Sequence, residues 1–284
     1  MLMLNIPRIL GGLFLSGLIG WAGYRKESLS ASGVLGALIV GTLTFGPGGW
    51  AWGLLLIAFF VSSSFLSHYR QMDKEDLVEK FAKGHRRDLS QALANGGWGA
   101  VLAVLYAFSR NPLLWAAFVG TMATVNADTW ATELGVLNPV PPRLITTGRR
   151  VPVGSSGGVS TLGTLAALAG GLFIGAAALA LGWIAALWQH LTLGWVDLWL
   201  IPVAVVGGLA GSFFDSLLGA TAQAIYYCDA CQKETERTLH RCGTQTRQIR
   251  GWRWLDNDLV NLLSSVVGSL AAVLIAWVGW KWLG

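Results

Sequence analysis

The sequence predicts an all-α fold: a polytopic bundle of about eight transmembrane helices, forming a single membrane domain over residues 1–284. Two observations set the class. Hydrophobic residues make up 54% of the chain and charged ones only 12%, against about 25% charged in a soluble globular domain. The apolar residues also fall into segments near the roughly 20 residues that a helix needs to cross hydrocarbon. A third observation, the placement of the cations, sets the orientation. The 37 glycines agree, because small residues let membrane helices approach closely.

Taken in order, the first span, 4–23, has a lone positive flank at Arg8 and runs straight into more apolar, Gly-rich sequence. It reads as a spanning helix rather than a cleaved leader. The second, 31–47, is short and rich in glycine; spans 50–68, 91–109 and 112–135 follow. The stretch 157–189 is too long for one straight crossing. It is expected to begin as a re-entrant or partly unwound piece at GSSGGVS (154–160), or to tilt strongly. Spans 197–222 and 257–281 complete the set.

The loops then fix the parity. Loop 24–30 holds Arg25 and Lys26, and loop 136–156 holds Arg143, Arg149 and Arg150. Loop 69–90 holds Arg70, Lys74, Lys80, Lys83, Arg86 and Arg87; loop 223–256 holds Lys233, Arg237, Arg241, Arg247, Arg250 and Arg253. These are 17 of the 20 Lys and Arg residues, and the alternate connections carry only Arg110. Every second loop is basic, which places those loops on the cytoplasmic side of a bacterial plasma membrane or thylakoid, with both termini outside. The net charge of +5 is thereby explained by topology and implies no nucleic-acid partner. Loop 69–90 mixes both charge signs with Leu77, Val78 and Phe81. It reads as an amphipathic helix at the membrane surface, or more plainly as a solvated connector.

Against this background, TVNADTWATELG (124–135) stands out at the end of an apolar span. Asp128 and Glu133 lie there, Asp215 lies toward the end of span seven, and Asp258 opens span eight. By the loop charges, three distant stretches bring their acids to one membrane face. Helical spacing groups Asn126, Thr129 and Glu133 on one stripe and Asp128 with Thr132 on the next. Ser212, Asp215, Ser216 and Gly219 form another stripe, as do Asp258, Asn261 and Ser265, with Asn257 beside them. Interhelical hydrogen bonding, at about 0.6 kcal/mol each, accounts for residues such as Ser212 and Ser265. It does not account for four carboxylates, each costing at least ~2.5 kcal/mol at mid-membrane. Asp258 has a second reading, as a charge at a helix N-terminus.

Such acids and amides suit Mg²⁺, which is commonly held by one or two carboxylates plus substrate phosphates. Next to them, 142–164 offers Arg143, Arg149 and Arg150, then the turn Ser155, Ser156, Gly157, Gly158 and Ser160, then a helix. A Gly-rich turn at a helix N-terminus can hold an anion through backbone N–H groups. Positive-inside orientation alone would also explain the arginines. Together these features predict Mg²⁺-phosphate chemistry at the membrane surface.

All three cysteines sit in loop 223–256, where Cys228 and Cys231 form C-x-x-C and His240 and Cys242 follow. Three thiolates and an imidazole suffice for a tetrahedral zinc ion. A reducing compartment argues against a disulfide. The set reads as a structural zinc knuckle, with free thiols beside an incidental histidine as the alternative. A catalytic zinc is not expected, because four protein ligands close the coordination sphere.

The blocks NADTWATELG (126–135), GSSGGVS (154–160), GSFFDSLLGAT (211–221), the cysteine cluster (228–243) and LDNDLVNLLSS (255–265) occur in an order that resembles a family of polytopic membrane proteins. That family includes the phytyl-phosphate kinases of plants and cyanobacteria, and the resemblance runs from about residue 30 to the end. It implies phosphorylation of phytyl phosphate or a similar isoprenyl monophosphate, with Mg²⁺ and a nucleoside triphosphate. The related phytol and dolichol kinases favour CTP. In this family the 154–160 block often carries Thr-Asn before the paired glycines; here Ser155 and Ser156 stand there. The expected roles are Asp128, Glu133 and Asp215 toward Mg²⁺, with Asn126, Asn257, Asp258 and Asn261 orienting ligands. Arg143, Arg149, Arg150 and the 155–160 turn would hold phosphates. Expected partners are the prenyl phosphate, the nucleotide and membrane lipids, with a homo-oligomer left open. The rival class is an ion-coupled transporter of a small anionic or lipid-linked solute. It would need midplane polar sites reachable from both sides, whereas the non-cytoplasmic halves read as almost purely apolar. An assembly factor would leave the acids incidental.

Overall fold

The computed structural model describes residues 6–70, 86–188 and 195–283. Among the described residues, eight long helices stand where eight spans were expected: α1 (Ile6–Arg25), α2 (Ala31–Gly48), α3 (Trp50–His68), α4 (Leu89–Ser109), α5 (Pro112–Gly135), α6 (Thr161–Trp188), α7 (Leu200–Thr221) and α8 (Asn257–Leu283). A short 3-10 turn, Trp195–Trp199, leads into α7. Seven of the eight are long and apolar enough to cross a membrane by themselves; α5 is the exception.

The ends of the helices follow from local chemistry. Glycine at position 49 takes φ 95°, so α2 closes and α3 opens across a single residue. Helix α4 begins at Leu89, two residues earlier than expected, because Asp88 and Gln91 form a reciprocal capping box. Asn111 caps α5 and Pro112 opens it, as suits a residue with no N–H to satisfy there. Segment 154–160 is neither helical nor spanning. Its Ser160 hydroxyl accepts from the Gly163 amide at 3.1 Å, so the cap sets the start of α6 at Thr161.

Helix α5 lies at the centre and packs against α3, α4, α6, α7 and α8. Twelve consecutive residues, 116–127, are buried. A helix enclosed by other helices has no lipid face to keep apolar, which is why α5 tolerates Thr121, Thr124 and Asn126. The Thr124 hydroxyl donates to the carbonyls of Gly120 (2.9 Å) and Gly207 (3.0 Å), joining α5 to α7. Around this centre, α1 is peripheral. It packs on α2 through Gly12, Ser16 and Gly20, and exposes Leu10, Phe14, Leu18 and Trp21.

Two loops carry strands. Arg143–Leu144 (β1) pairs antiparallel with Gly158–Val159 (β2), and a bridge between Arg143 and Arg150 makes the basic 142–150 segment a hairpin. Loop 223–256 builds a three-stranded antiparallel sheet in the order β4-β3-β5, from Lys233–Thr235, Ile225–Cys228 and Arg247–Arg250. The amphipathic helix expected over 69–90 falls largely on residues 71–85, outside the described residues. At its far edge, Arg87 donates from its N–H to the Ser28 carbonyl and accepts from the Ser30 N–H, each at 3.0 Å.

Candidate active site

The C-terminal ends of α3, α5 and α7 and the N-terminal ends of α4, α6 and α8 meet at one end of the bundle, around a cavity of about 340 Å³. Asp128, Glu133, Asp215 and Asp258 all line it. So do Ser155, Ser156, Gly157, Gly158 and Ser160, together with Asn257 and Asn261. Acids from three helices and the Gly/Ser turn thus meet in one chamber.

Three of these acids are held by a small hydroxyl on a neighbouring helix. The Ser67 hydroxyl donates to Glu133 Oε1 at 2.7 Å. Ser212 donates to Asp128 Oδ1 at 3.4 Å, and Ser264 to Asp215 Oδ2 at 3.3 Å. Ser212, expected to serve packing alone, therefore holds a cavity acid, whereas Ser265 donates back to the Asn261 carbonyl within α8. The Asp128 and Asp215 carboxyls lie close enough for their charges to interact, and Glu236 adds a third nearby charge. Asp256 caps α8, its Oδ1 accepting from the Leu259 amide at 3.0 Å, and Asp258 stays a charge at the helix N-terminus. That leaves Asp258 in the first turn, lining the cavity.

The turn ahead of α6 rests on α7. At Gly157 φ is 82°, and a Cβ there would run into Ala220 of α7. The Ser156 hydroxyl donates to Gln223 Oε1 at 2.7 Å. From the same amide, Nε2 donates to Glu236 Oε1 at 2.9 Å and to Asn257 Oδ1 at 3.4 Å. Gln223 therefore ties the turn, the sheet loop and α8 together. Ser160 spends its hydroxyl on structure, donating to the Gly135 carbonyl at 3.2 Å while capping α6.

Four expected residues are elsewhere. Asn126 is fully buried in packed interior: Nδ2 donates to the Gly170 carbonyl at 2.9 Å, and Oδ1 accepts from Ser62 (2.9 Å) and Ser63 (3.4 Å). Arg143, Arg149 and Arg150 lie on the exposed face of the hairpin, with Arg143 donating to the Gly148 carbonyl. None of the four lines the cavity.

The cation that does line it is Arg87, half-buried at the start of α4. Its Nη1 donates to the Ser64 hydroxyl at 3.0 Å, and its guanidinium lies near the Phe59 and Phe60 rings. Burial pulls its pKa down to about 10, with Glu133 acting in the opposite sense, so it stays charged at neutral pH. Gln91, Asn95, Ser67, Gln223, Glu236 and Asp256 are further lining residues that sequence reasoning missed. Among the described residues, six carboxylates and one guanidinium line the chamber.

Beside it, Cys228, Cys231, His240 and Cys242 place their ligand atoms within 4.8 Å of one another. The Cys228 and Cys242 sulfurs are 3.6 Å apart, near the roughly 3.8 Å expected around tetrahedral zinc with ~2.3 Å Zn–S bonds. His240 Nδ1 is 3.1 Å from the Cys242 sulfur. Hydrogen bonds from Thr244 and then His240 hold the Cys242 thiol down to about 6, while its contact with Cys242 pushes Cys231 up to about 11. Three sulfurs and an imidazole this close together fit one metal ion. The cluster lies on the sheet whose β4 strand leads directly into Glu236.

A sequence profile for an integral membrane protein family, DUF92, matches residues 14–269. Among curated proteins, Protein PGR of Arabidopsis thaliana is 34% identical over 94% of this chain and 97% of its own. Uncharacterized membrane protein MJ0933 of Methanocaldococcus jannaschii is 29% identical over 88% of this chain and 87% of its own. Protein VTE6, chloroplastic, of Arabidopsis thaliana is 29% identical over 87% of this chain and 65% of its own. No solved structure matches the chain.

Proposed function

Because the chain belongs to the integral membrane family DUF92, we propose that it is a membrane-embedded isoprenyl-phosphate kinase. It transfers the terminal phosphoryl group of a nucleoside triphosphate, CTP in preference, to phytyl phosphate or a similar prenyl monophosphate, and releases the diphosphate. The resemblance to phytyl-phosphate kinases supports the acceptor class. The observation that carries the chemistry is the cavity: among the described residues, six carboxylates with one guanidinium, beside a Gly/Ser turn that opens a helix.

Phosphate groups cannot enter so acidic a chamber unless cations accompany them, and carboxylates with amides are the ligands that Mg²⁺ accepts. Magnesium held by Asp128, Glu133 and Asp215 would neutralise charge on the transferring phosphoryl group. The remaining work falls to the chain itself. Backbone N–H groups at Ser156, Gly157 and the N-terminus of α6 receive nucleotide phosphates, while those of Ser155 and Gly158 donate to the Pro152 and Ser155 carbonyls and hold the turn. Asn257, Asp258 and Asn261 orient them from α8. An acceptor phosphate oxygen attacks the γ-phosphorus, the bond to the β–γ bridging oxygen breaks, and its electrons leave on the nucleoside diphosphate. The acceptor is already ionised, so no general base is required, and positioning dominates. Asn126 and the hairpin arginines take no part in this scheme.

Positive-inside charge supports a cytoplasmic cavity with both termini outside. The donor set of Cys228, Cys231, His240 and Cys242 supports a structural zinc that folds the sheet loop and so presents Glu236.

Purified protein incubated with labelled CTP, ATP, GTP or UTP and a panel of prenyl phosphates, with and without Mg²⁺, tests the reading. Label in a prenyl diphosphate, dependent on Mg²⁺ and greatest with CTP, is the expected result. Solute flux into liposomes with no nucleotide consumed would replace the kinase by a carrier.

A further inference from the structure

The structure contains a second cavity, of about 90 Å³, enclosed by α1, α2, α3 and α4. Its walls are apolar, with Leu15 and Ile19 from α1, Ala37 and Val40 from α2, and Leu56 and Phe60 from α3. Arg87, Gln91 and Asn95 line both this cavity and the acidic one. All three lie at the start of α4 or on its first two turns, so this end of the helix is the wall between a polar chamber and an apolar one.

Arg87 is the one cation among the described residues lining either chamber. Its backbone is clamped to Ser28 and Ser30 on the α1–α2 connection, and its side chain is steered by Ser64. A fixed guanidinium at such a boundary matches an amphiphile with an anionic head and a hydrocarbon tail. Interiors otherwise close over voids, because lining atoms lose their dispersion partners. An apolar chamber beside a charged group therefore calls for an apolar occupant. A volume of about 90 Å³ suits part of one hydrocarbon chain and not the paired chains of a glycerophospholipid.

We propose that the α1–α4 cavity is the acceptor-tail site, taking the isoprene units next to the head group of a single-chain prenyl monophosphate whose phosphate is gripped by Arg87, with Gln91 and Asn95 beside it. This inference rests on the kinase reading for the identity of the acceptor and deepens it. The prenyl tail enters from the α1–α4 side, while the nucleotide occupies the opposite side, against the 155–158 turn and α8. The two phosphates meet at the acids of α5 and α7. The far end of the tail continues into lipid, where α1 exposes its own apolar face.

The test separates binding from turnover. A twenty-carbon prenyl monophosphate carrying a diazirine on its second isoprene unit is photolysed with wild-type protein in detergent, without nucleotide. Adducts are expected on peptides from α1–α4, and adducts confined to α6–α8 would overturn the assignment. In parallel, the affinity ratio of twenty-carbon to five-carbon prenyl monophosphate is measured by thermal-shift titration. Ile19→Trp and Ala37→Phe fill the chamber and should lower that ratio at least tenfold; an unchanged ratio in folded, monodisperse variants would overturn it. Arg87→Ala should weaken both acceptors at least tenfold, with partial recovery in Arg87→Lys. Phosphatidate that competes as well as the prenyl phosphate would also contradict the single-chain site. Correct adducts without any turnover would retain the tail site and remove the kinase. Turnover with an unchanged ratio would do the reverse.

Discussion

Replacing Asn126 by alanine separates packing from catalysis in the polar stripe of α5. In the structure Asn126 joins α5 to α3 through Ser62 and Ser63 and to α6 through the Gly170 carbonyl. Two of those three bonds are short, at 2.9 Å each. At about 0.6 kcal/mol for an interhelical bond, they amount to roughly 1.2 kcal/mol. The loss is limited because Ser62 keeps a bond to the Phe59 carbonyl at 3.2 Å. The small void left behind adds a comparable amount, for a total of about 2 kcal/mol. At about 2–4 °C per kcal/mol for a chain of this order, the melting midpoint should fall by roughly 4–8 °C. The assay pairs scanning fluorimetry in detergent with prenyl diphosphate formation per folded molecule, where a drop of less than about fivefold is expected. An unchanged midpoint with a loss of 100-fold or more would refute the reasoning and return Asn126 to the reacting groups.

Three further outcomes follow from the same geometry. Gly157→Ala forces a side chain into a left-handed conformation, at a cost of about 1–2 kcal/mol, and against Ala220; nucleotide affinity, read by competition with a labelled analogue, should fall at least about tenfold as the turn moves. The double change of Arg149 and Arg150 to alanine should alter kcat/KM by less than about threefold, because both lie outside the cavity; a loss beyond tenfold would place them at the phosphates after all. Wild-type protein should release one zinc per chain on denaturation and Cys228→Ser none, by metal analysis; with the metal gone, protease cleavage within 225–250 should rise, and equal resistance in both proteins would exclude a structural ion.

Much of the fold was legible because two signals are independent. Apolar length located the helices, and alternating loop charge set their parity, so acids from α5, α7 and α8 could be assigned to one end before any packing was known. Periodicity also grouped the right stripes, but it reports which residues share a face and not what that face meets. Asn126 shares a stripe with Glu133, yet one meets a packed neighbour and the other a cavity. Cations show the same ambiguity. Arg149 was expected at the phosphates and Arg87 only among the orientation charges, and only the three-dimensional course of the chain puts Arg87 at the cavity and Arg149 outside it. At Arg87 a signal was present: it directly precedes the Asp88–Gln91 capping box, so it sits at a helix start rather than in free loop. Gln223 and Glu236 gave no such signal, because their approach to the cavity depends on the register of a small sheet inside a loop.

The central claim is that the clustered carboxylates serve divalent-cation phosphoryl transfer. It is tested most directly by measuring prenyl diphosphate formation against Mg²⁺ concentration, for wild-type protein and for Asp128→Asn. The account predicts saturable Mg²⁺ dependence in the wild type, and a loss of at least about 100-fold in the variant with the protein still folded. Wild-type rates in Asp128→Asn, or transfer that persists in excess chelator, would contradict it.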